Sequence, residues 1–182
     1  MATPKTLGII AGNRDLPQLL AREARAAGVS RLVAVAMQGE TEETLADLVD
    51  ELTWIKVGQL GKLIKIFKNA GVTQCVMAGQ IAPSNLFNLR PDFRAIKLMA
   101  GLDIKNSHTI FGGIADELAK DGIKLIEATP WLQPAMPGKG FAIGPALTQD
   151  QSADIEFGLR IANEIARLDI GQTVVVKDGA VL

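Results

Sequence analysis

Cysteine, histidine and aromatic residues are scarce in this chain, and the scarcity of cysteine and of aromatic residues argues against several classes of site. There is one cysteine (Cys75), one histidine (His108) and no tyrosine, and aromatic residues make up only 4% of the sequence. A single cysteine excludes an intramolecular disulfide and a cysteine-based zinc site, and it fits a reducing compartment. So few aromatic rings leave little material for stacking nucleic-acid bases or for lining a sugar platform.

Charge of one sign and long apolar runs are lacking as well. The 19 basic and 20 acidic residues are spread along the chain and give a net charge of −1, so the basic field that nucleic-acid binding requires is missing. No apolar run approaches the roughly 18 residues that span a bilayer, and residues 1–5 lack the features of a secretory signal. We therefore expect a cytoplasmic protein that does not bind nucleic acid, while a peripheral membrane contact stays open.

What the chain does contain is an alternation of short apolar runs with helical periodicity. Runs typical of buried strands lie at residues 7–11, 31–37, 53–57, 72–78 and 123–128. Helices are predicted at residues 16–27 and 41–52, from Gly58, from about Pro91, and at residues 107–121. Such alternation predicts an α/β fold with a Rossmann-like, doubly wound and mostly parallel sheet.

The composition changes after the fifth predicted strand. Residues 130–147 are rich in proline and glycine, which is typical of a linker. Thr148-Gln149-Asp150-Gln151 has the pattern of a capping box for a helix that extends to Leu168, and Asp178-Gly179 is a hairpin signal after a strand at residues 173–177. We therefore divide the chain into a first domain at 1–129, a linker at 130–147 and the incomplete start of a second α/β domain at 148–182.

Two of the predicted strands end in turns of the same kind. Ala11-Gly12-Asn13 follows the first strand and Ala78-Gly79-Gln80 follows the fourth, so each turn has a glycine and then a carboxamide side chain. Open α/β sheets bind ligands at the carboxyl ends of their strands, and glycine lets the backbone approach a ligand closely. We predict that Gly12, Asn13, Gly79 and Gln80 contact substrate as two walls of one crevice; the alternative is a pair of structural turns.

The first turn lacks the common nucleotide-binding motifs. Neither G-x-G-x-x-G nor the Walker A pattern fits around Gly12, because Asn13 follows it and Asp15 stands where a further glycine would be. An NAD-binding turn is therefore disfavoured.

Other candidates for chemistry are few. Gly61 and Lys62 open a predicted helix and could hold a phosphate, the alternative being a turn with a solvated lysine. His108 stands at a predicted helix start, where a cap or surface role is the more common one. The carboxylates show no metal-site spacing, and local spacing assembles no nucleophile–base pair. We expect a binding domain with no catalytic residue and no metal ligand of its own.

Five segments in the same order form one recognisable pattern. They are residues 7–17, 57–62, 78–83, 89–97 and 167–176, the last reading Arg-Leu-Asp-Ile-Gly-Gln-Thr-Val-Val-Val. Through these segments, which cover nearly the whole chain, the sequence resembles the UDP-2,3-diacylglucosamine pyrophosphatases of lipid A biosynthesis, of the type that is not calcineurin-like.

This resemblance implies an activity and a set of contacts. Family members hydrolyse a UDP-linked acylated glucosamine, UDP-2,3-diacylglucosamine, to 2,3-diacylglucosamine 1-phosphate and UMP with the help of Mg²⁺. The resemblance implies substrate contacts by the two glycine turns and by Asp169 and Gln172. It leaves open a peripheral contact with the cytoplasmic face of the inner membrane.

The chain departs from the family pattern in two ways. The family typically has glycine at the position of Asn13 and commonly has asparagine at that of Gln80. It also continues past Asp178-Gly179 with an E-G-T-D-like segment and its catalytic aspartate, so no residue here inherits the catalytic role and we expect the chain alone to be inactive. The rival hypotheses are a non-catalytic nucleotide or nucleotide-sugar binding module and, more weakly, an NAD(P)-linked oxidoreductase.

Overall fold

The computed structural model describes residues 4–81, 90–103 and 107–182, with the backbone alone for 107 and 108. The strands are β1 (Thr6–Ala11), β2 (Arg31–Met37), β3 (Glu51–Ile55), β4 (Gln74–Ala78), β5 (Lys124–Leu125), β6 (Val176–Lys177) and β7 (Ala180–Val181). The helices are α1 (Leu16–Ala26), α2 (Leu60–Asn69), α3 (Phe93–Ala100), α4 (Ser107–Lys120), α5 (Thr129–Leu132) and α6 (Gln149–Arg167), with 3₁₀ turns at Glu43–Leu48 and Gln133–Ala135. The chain divides into one unit that ends at Met136 and another that begins at Pro137.

A parallel sheet with the strand order β3-β2-β1-β4-β5 forms the centre of the first unit. β1 pairs with β2 from Thr6–Arg31 to Ala11–Ala36, and with β4 from Gly8–Cys75 to Ala11–Ala78. This is the Rossmann strand order, in which the chain reverses its direction of travel across the sheet between β1 and β4. The predicted α/β fold is confirmed.

After their polar first residues, the central strands β1, β2 and β4 contain no polar side chain, because both faces of the sheet are covered. On one face Leu7 and Ile9 of β1 pack with Leu20 of α1. On the other, Val33 of β2 packs with Phe67 of α2 in the same cluster as residues of α4. These side chains are completely or almost completely buried, and burial of each contributes roughly 1.5–3 kcal/mol.

Residues 41–52 do not form the predicted helix. They form the 3₁₀ turn Glu43–Leu48 and then enter β3, which begins at Glu51. Asp50 explains the change: its Oδ2 accepts hydrogen bonds from the Leu32 amide at 2.6 Å and from Arg25 at 2.7 Å. The Leu32 amide, followed by Arg25, also lowers the pKa of Asp50. Pairing with β2 therefore overrides the helical pattern.

The predicted linker at 130–147 begins inside the first unit. Residues Thr129–Leu132 form α5, and the Trp131 side chain is only 7% exposed in the core cluster that includes α1. Pro130 is compatible with this helix because it lies in the first turn, where a missing amide hydrogen costs nothing. The strand expected at 123–128 is reduced to Lys124–Leu125.

Two local predictions in the second unit are confirmed. Thr148 Oγ1 accepts from the Gln151 amide at 3.2 Å and Gln151 Oε1 accepts from the Thr148 amide at 3.0 Å, which is the capping box at the start of α6. Asp178 and Gly179 have φ values of 52° and 75°, as a type I′ hairpin requires, and they join the antiparallel strands β6 and β7. The strand predicted at 173–177 is shorter, Val176–Lys177.

Candidate functional site

The candidate site is the carboxyl edge of the sheet where β1 and β4 are neighbours. β1 ends at Ala11 and β4 ends at Ala78, so both glycine turns lie at this edge. Open α/β sheets bind ligands at the point where the strand order reverses.

The two turns touch each other instead of facing each other across a gap. The Gly12 amide donates to the Ala78 carbonyl at 2.8 Å, and the Asn13 amide donates to the Gln80 carbonyl at 2.8 Å. A Cβ on Gly12 would lie 2.3 Å from the Gln80 carbonyl oxygen, and Gly79 has a φ of +89°, so this contact requires both glycines. The turns therefore form one continuous rim and not two walls of a crevice. Substrate contact by these four residues stays a prediction.

Arg14 follows the rim in an unusual backbone conformation. Its φ is 64°, which few residues other than glycine adopt, and such strain is typical of functional sites. The Arg14 side chain is exposed, and the Asp15 side chain makes no capping hydrogen bond to α1. Arg14 could not be identified from the sequence, because no sequence pattern marks its backbone angle.

A buried polar cluster beside the rim was also missed. Glu40 and Gln18 are only 6% and 5% exposed. The Thr41 hydroxyl donates to the Ala11 carbonyl at 2.7 Å and accepts from the Met37 amide at 2.9 Å, which holds the segment after β2 against the end of β1. The available signal was the position of Glu40, just after a buried parallel strand at the edge that also carries Gly12.

Asn13 joins this cluster to the rim. Its Nδ2 donates to Glu40 Oε2 at 2.8 Å, and because a carboxylate accepts hydrogen bonds, this contact fixes the orientation of the carboxamide. Asn13 Oδ1 is then buried without a hydrogen-bond partner among the described residues, as is Gln18 Oε1. A buried acceptor without a hydrogen-bond partner lowers the stability of the folded chain by about 1–3 kcal/mol, so we expect a hydrogen-bond donor to bind each of these oxygens.

Asp92 binds the helix end that was predicted to hold a phosphate. Its Oδ2 accepts from the Gly61 amide at 2.7 Å and from the Lys62 amide at 3.3 Å, while its Oδ1 accepts from the Ala95 amide at 3.0 Å. An external anion would have to displace this carboxylate from the start of α2. Phosphate binding by Gly61 and Lys62 stays a prediction, and this contact disfavours it.

Asp169 and Gln172 belong to the second unit. The Asp169 amide donates to the Ala166 carbonyl at 3.0 Å, and the Ile170 amide donates to the Ile165 carbonyl at 2.9 Å. With φ at 56° for Asp169, these bonds form a Schellman motif that ends α6. Gln172 is exposed and lines a mainly apolar groove of about 630 Å³ along α6. Substrate contact by both residues stays a prediction.

The described parts of the chain contain few residues that could bind a metal ion or act as a nucleophile. Residues 4–81, 90–103 and 107–182 contain no group of three or more His, Cys, Asp or Glu side chains that could hold a metal ion. Burial raises the pKa of the Cys75 thiol to about 12, which disfavours the reactive thiolate. The His108 side chain and residues 82–89 lie outside the described residues. Within those that are described, every helix is too short or too polar to cross a membrane.

Comparison with known proteins adds two findings. The family model of the LpxI N-terminal domain matches residues 6–135, and that of the LpxI C-terminal domain matches residues 138–182. The chain is also 32% identical over 187 residues to the UDP-2,3-diacylglucosamine pyrophosphatase LpxI of Caulobacter vibrioides. That alignment covers 98% of this chain and 64% of the relative, so the chain spans just under two thirds of the relative's length.

Proposed function

The chain belongs to the LpxI family, and on that premise we propose that it binds UDP-2,3-diacylglucosamine and serves its hydrolysis to 2,3-diacylglucosamine 1-phosphate and UMP. The observation that carries this proposal is the pair of glycine turns at the reversal of strand order, where sheets of this kind bind nucleotides. The name of the Caulobacter relative, which is similar along nearly the whole chain, supports the choice of substrate.

The rim and Arg14 supply the polar groups that such a substrate requires. A diphosphate carries negative charge, and the exposed Arg14 guanidinium stands just before the amino end of α1, whose partial positive charge favours an anion. The role that we assign to these groups is to bind the diphosphate and to orient it. Stabilisation of charge that develops on phosphoryl oxygens is the main task in such a hydrolysis.

The resemblance also implies Mg²⁺, and the donor set of the described residues does not fit that ion. The described residues contain no group of three or more His, Cys, Asp or Glu side chains that could hold a metal ion, and the buried Glu40 contacts the rim only through Asn13, from which its Oε2 accepts a hydrogen bond. We therefore assign no step to the metal. We also propose that these 182 residues bind the substrate without hydrolysing it. A peripheral membrane contact is a further part of the proposal, and Phe93, which is 81% exposed, offers apolar surface for it.

Titration of the ¹⁵N-labelled chain with UDP-2,3-diacylglucosamine in detergent micelles tests the proposal. We expect the amide signals of Gly12, Asn13, Gly79 and Gln80 to shift, because the substrate would lie on the rim. Replacing Arg14 with glutamine should weaken binding about tenfold, since a charge-assisted contact is lost.

The controls lie within the same chain. The amides of Gly28 and Gly71 precede β2 and β4, at the opposite edge of the sheet, and should not shift. Arg22→Gln changes an exposed arginine on α1 and should leave the affinity unchanged. If substrate shifts none of the rim amides, the site is wrong. Binding without Mg²⁺-dependent UMP release by a longer protein that contains this chain would favour the rival, a nucleotide-sugar binding module.

A further inference from the structure

Two buried acceptors beside the rim point to the part of a ligand that binds there. Asn13 Oδ1 and Gln18 Oε1 both lack a hydrogen-bond partner among the described residues, and Gln18 is only 5% exposed. The two side chains are tied to one short segment after β2, Asn13 through Glu40 and Gln18 through Thr44. Since buried acceptors in folded proteins are almost always paired, this cluster is built to receive a donor.

The charge of the cluster excludes an anion. The donor end of the Asn13 carboxamide is taken by Glu40, so a phosphate placed there would meet an acceptor oxygen backed by a buried carboxylate. Such an arrangement repels a phosphate, and the diphosphate must lie elsewhere on the rim.

A divalent cation also fits poorly. Mg²⁺ requires octahedral coordination by oxygen atoms, whereas residues 4–81, 90–103 and 107–182 contain no group of three or more His, Cys, Asp or Glu side chains that could hold a metal ion. A neutral group that donates a hydrogen bond fits both the acceptor and the carboxylate behind it. Hydroxyl groups of a sugar are such donors.

We propose that Asn13, Gln18 and Glu40 form a hydroxyl-recognition subsite, in which Asn13 Oδ1 accepts a hydrogen bond from a hydroxyl of a sugar ring. The assignment rests on the proposed function in that the ligand is a nucleotide-linked sugar. Ribose and hexosamine rings share the required chemistry. Glu40 is a positioning residue: by accepting from Asn13 Nδ2 it fixes the orientation of the Asn13 carboxamide.

The subsite is held rigidly in place. Thr41 binds the end of β1 through its hydroxyl, and the amides of Glu40 and Thr41 both donate to the Met37 carbonyl at 3.0 Å. Glu40 therefore follows a closed turn directly after β2. A rigid acceptor discriminates between ligands with and without a hydroxyl, because the ligand that lacks it leaves the acceptor unpaired.

Calorimetric titration of the full chain with matched ligand pairs tests the subsite. The pairs are UMP against 2′-deoxy-UMP and 2′,3′-dideoxy-UMP, and N-acetylglucosamine 1-phosphate against its 4-deoxy analogue. We expect the hydroxylated member of at least one pair to bind about tenfold more tightly, and the pair that discriminates identifies the sugar.

Two variants and one control assign this preference to the cluster. Asn13→Ala removes the acceptor, and Glu40→Gln lets the Asn13 carboxamide turn and pair its own oxygen with the new amide. Both variants should bind the hydroxylated ligand and its deoxy analogue with about equal affinity. Glu42→Gln makes the same chemical change at an exposed position and should keep it. Tryptophan fluorescence during urea unfolding verifies that each variant is folded.

Three results would overturn the subsite: no preference in any pair, a preference that survives in Asn13→Ala, or a shift of the Asn13 side-chain amide signal by inorganic phosphate or by Mg²⁺ alone. Each is independent of the lipid-substrate titration. If UDP-2,3-diacylglucosamine shifts the rim while all pairs bind equally, the subsite fails and the proposed function stands. If a hydroxylated ligand binds more tightly than its deoxy analogue while the lipid substrate does not bind, the subsite stands and the proposed function fails.

Discussion

Asp92 is a single residue whose carboxylate stabilises the starts of two helices. It accepts from Ala95 in α3 and from Gly61 and Lys62 at the start of α2. Loss of one helix cap costs about 0.5–2 kcal/mol, so Asp92→Ala should lower the free energy of unfolding of the first unit by about 1–3 kcal/mol. Urea unfolding followed by tryptophan fluorescence measures this, because Trp54 and Trp131 both lie in that unit.

Asp15→Ala is the matched control for this change. Asp15 precedes α1 as Asp92 precedes α3, but its side chain makes no capping hydrogen bond, so its loss should cost less than about 0.5 kcal/mol. Equal costs for the two variants would show that the contacts of Asp92 add no stability.

Contacts of this kind, between residues distant in the sequence, cannot be predicted from single residues. The glycines of the rim were predictable as turn residues, because each follows an apolar strand. Their direct contact was not, and neither were the pairs Asn13–Glu40 and Gly61–Asp92, which join residues 27 and 31 positions apart. No local pattern encodes such a pair, since it depends on which strands become neighbours.

At the scale of secondary-structure elements, an ion-pair network joins three helices of the first unit. Arg94 of α3 contacts Glu117 of α4 at 2.6 Å and Asp121 at 2.6 Å, and Lys68 of α2 also contacts Asp121 at 2.8 Å. Lys120 and then Arg94 lower the pKa of Glu117, and Lys68 and then Arg94 lower the pKa of Asp121.

These shifts predict a loss of stability in acid. A carboxyl group whose pKa is lower in the folded chain adds stability above its unfolded pKa, and this stability is lost as the pH falls through the folded value. The loss of stability should begin as the pH falls to the ordinary pKa values, 4.5 for Glu117 and 3.8 for Asp121, and it should increase at lower pH. Urea midpoints measured at about pH 7 and about pH 3 should therefore differ less in Arg94→Gln than in the parent chain.

Arg167→Gln serves as the control for the network. Arg167 pairs with Glu164 on α6, where both side chains are more than 60% exposed (69% and 63%), so its loss should leave the acid sensitivity of the first unit unchanged. An Arg94→Gln variant with the same acid loss as the parent would assign that loss to other carboxyl groups, such as Asp50.

The elements themselves were predictable where their signals are local. The capping box at Thr148 and the Asp178-Gly179 hairpin depend on neighbours in sequence, and both are confirmed. The expected helix at 41–52 was wrong, and the helix at Thr129–Leu132 was not expected, because distant partners decide both. Asp50 binds the amide of Leu32, and Trp131 packs in the core with α1.

At the scale of the whole molecule, the parallel sheet and its binding edge follow from the order of strands and helices alone. A chain that alternates strands with helices places all strand carboxyl ends at one edge, so the two glycine turns had to lie there. The polar cluster behind that edge could not be foreseen, because its members come from three segments: the turn after β1, α1 and the segment after β2. Fold class was thus predictable from periodicity, whereas the chemistry of the site required the register of β1 with its two neighbours.

The two units should differ strongly in their resistance to local opening. The first unit buries side chains on both faces of its sheet, whereas no residue from Pro137 to Leu182 is buried. We therefore expect amides in β1 and β2 to exchange with solvent mainly through global unfolding, and amides in α6 through local opening. Hydrogen exchange followed by NMR should show protection at least about 100-fold higher in β1 than in α6.

Thr148→Ala, which removes the cap of α6, should accelerate exchange in α6 and leave exchange in β1 unchanged. Equal protection of β1 and α6, or a common response to Thr148→Ala, would mean that the units unfold as one.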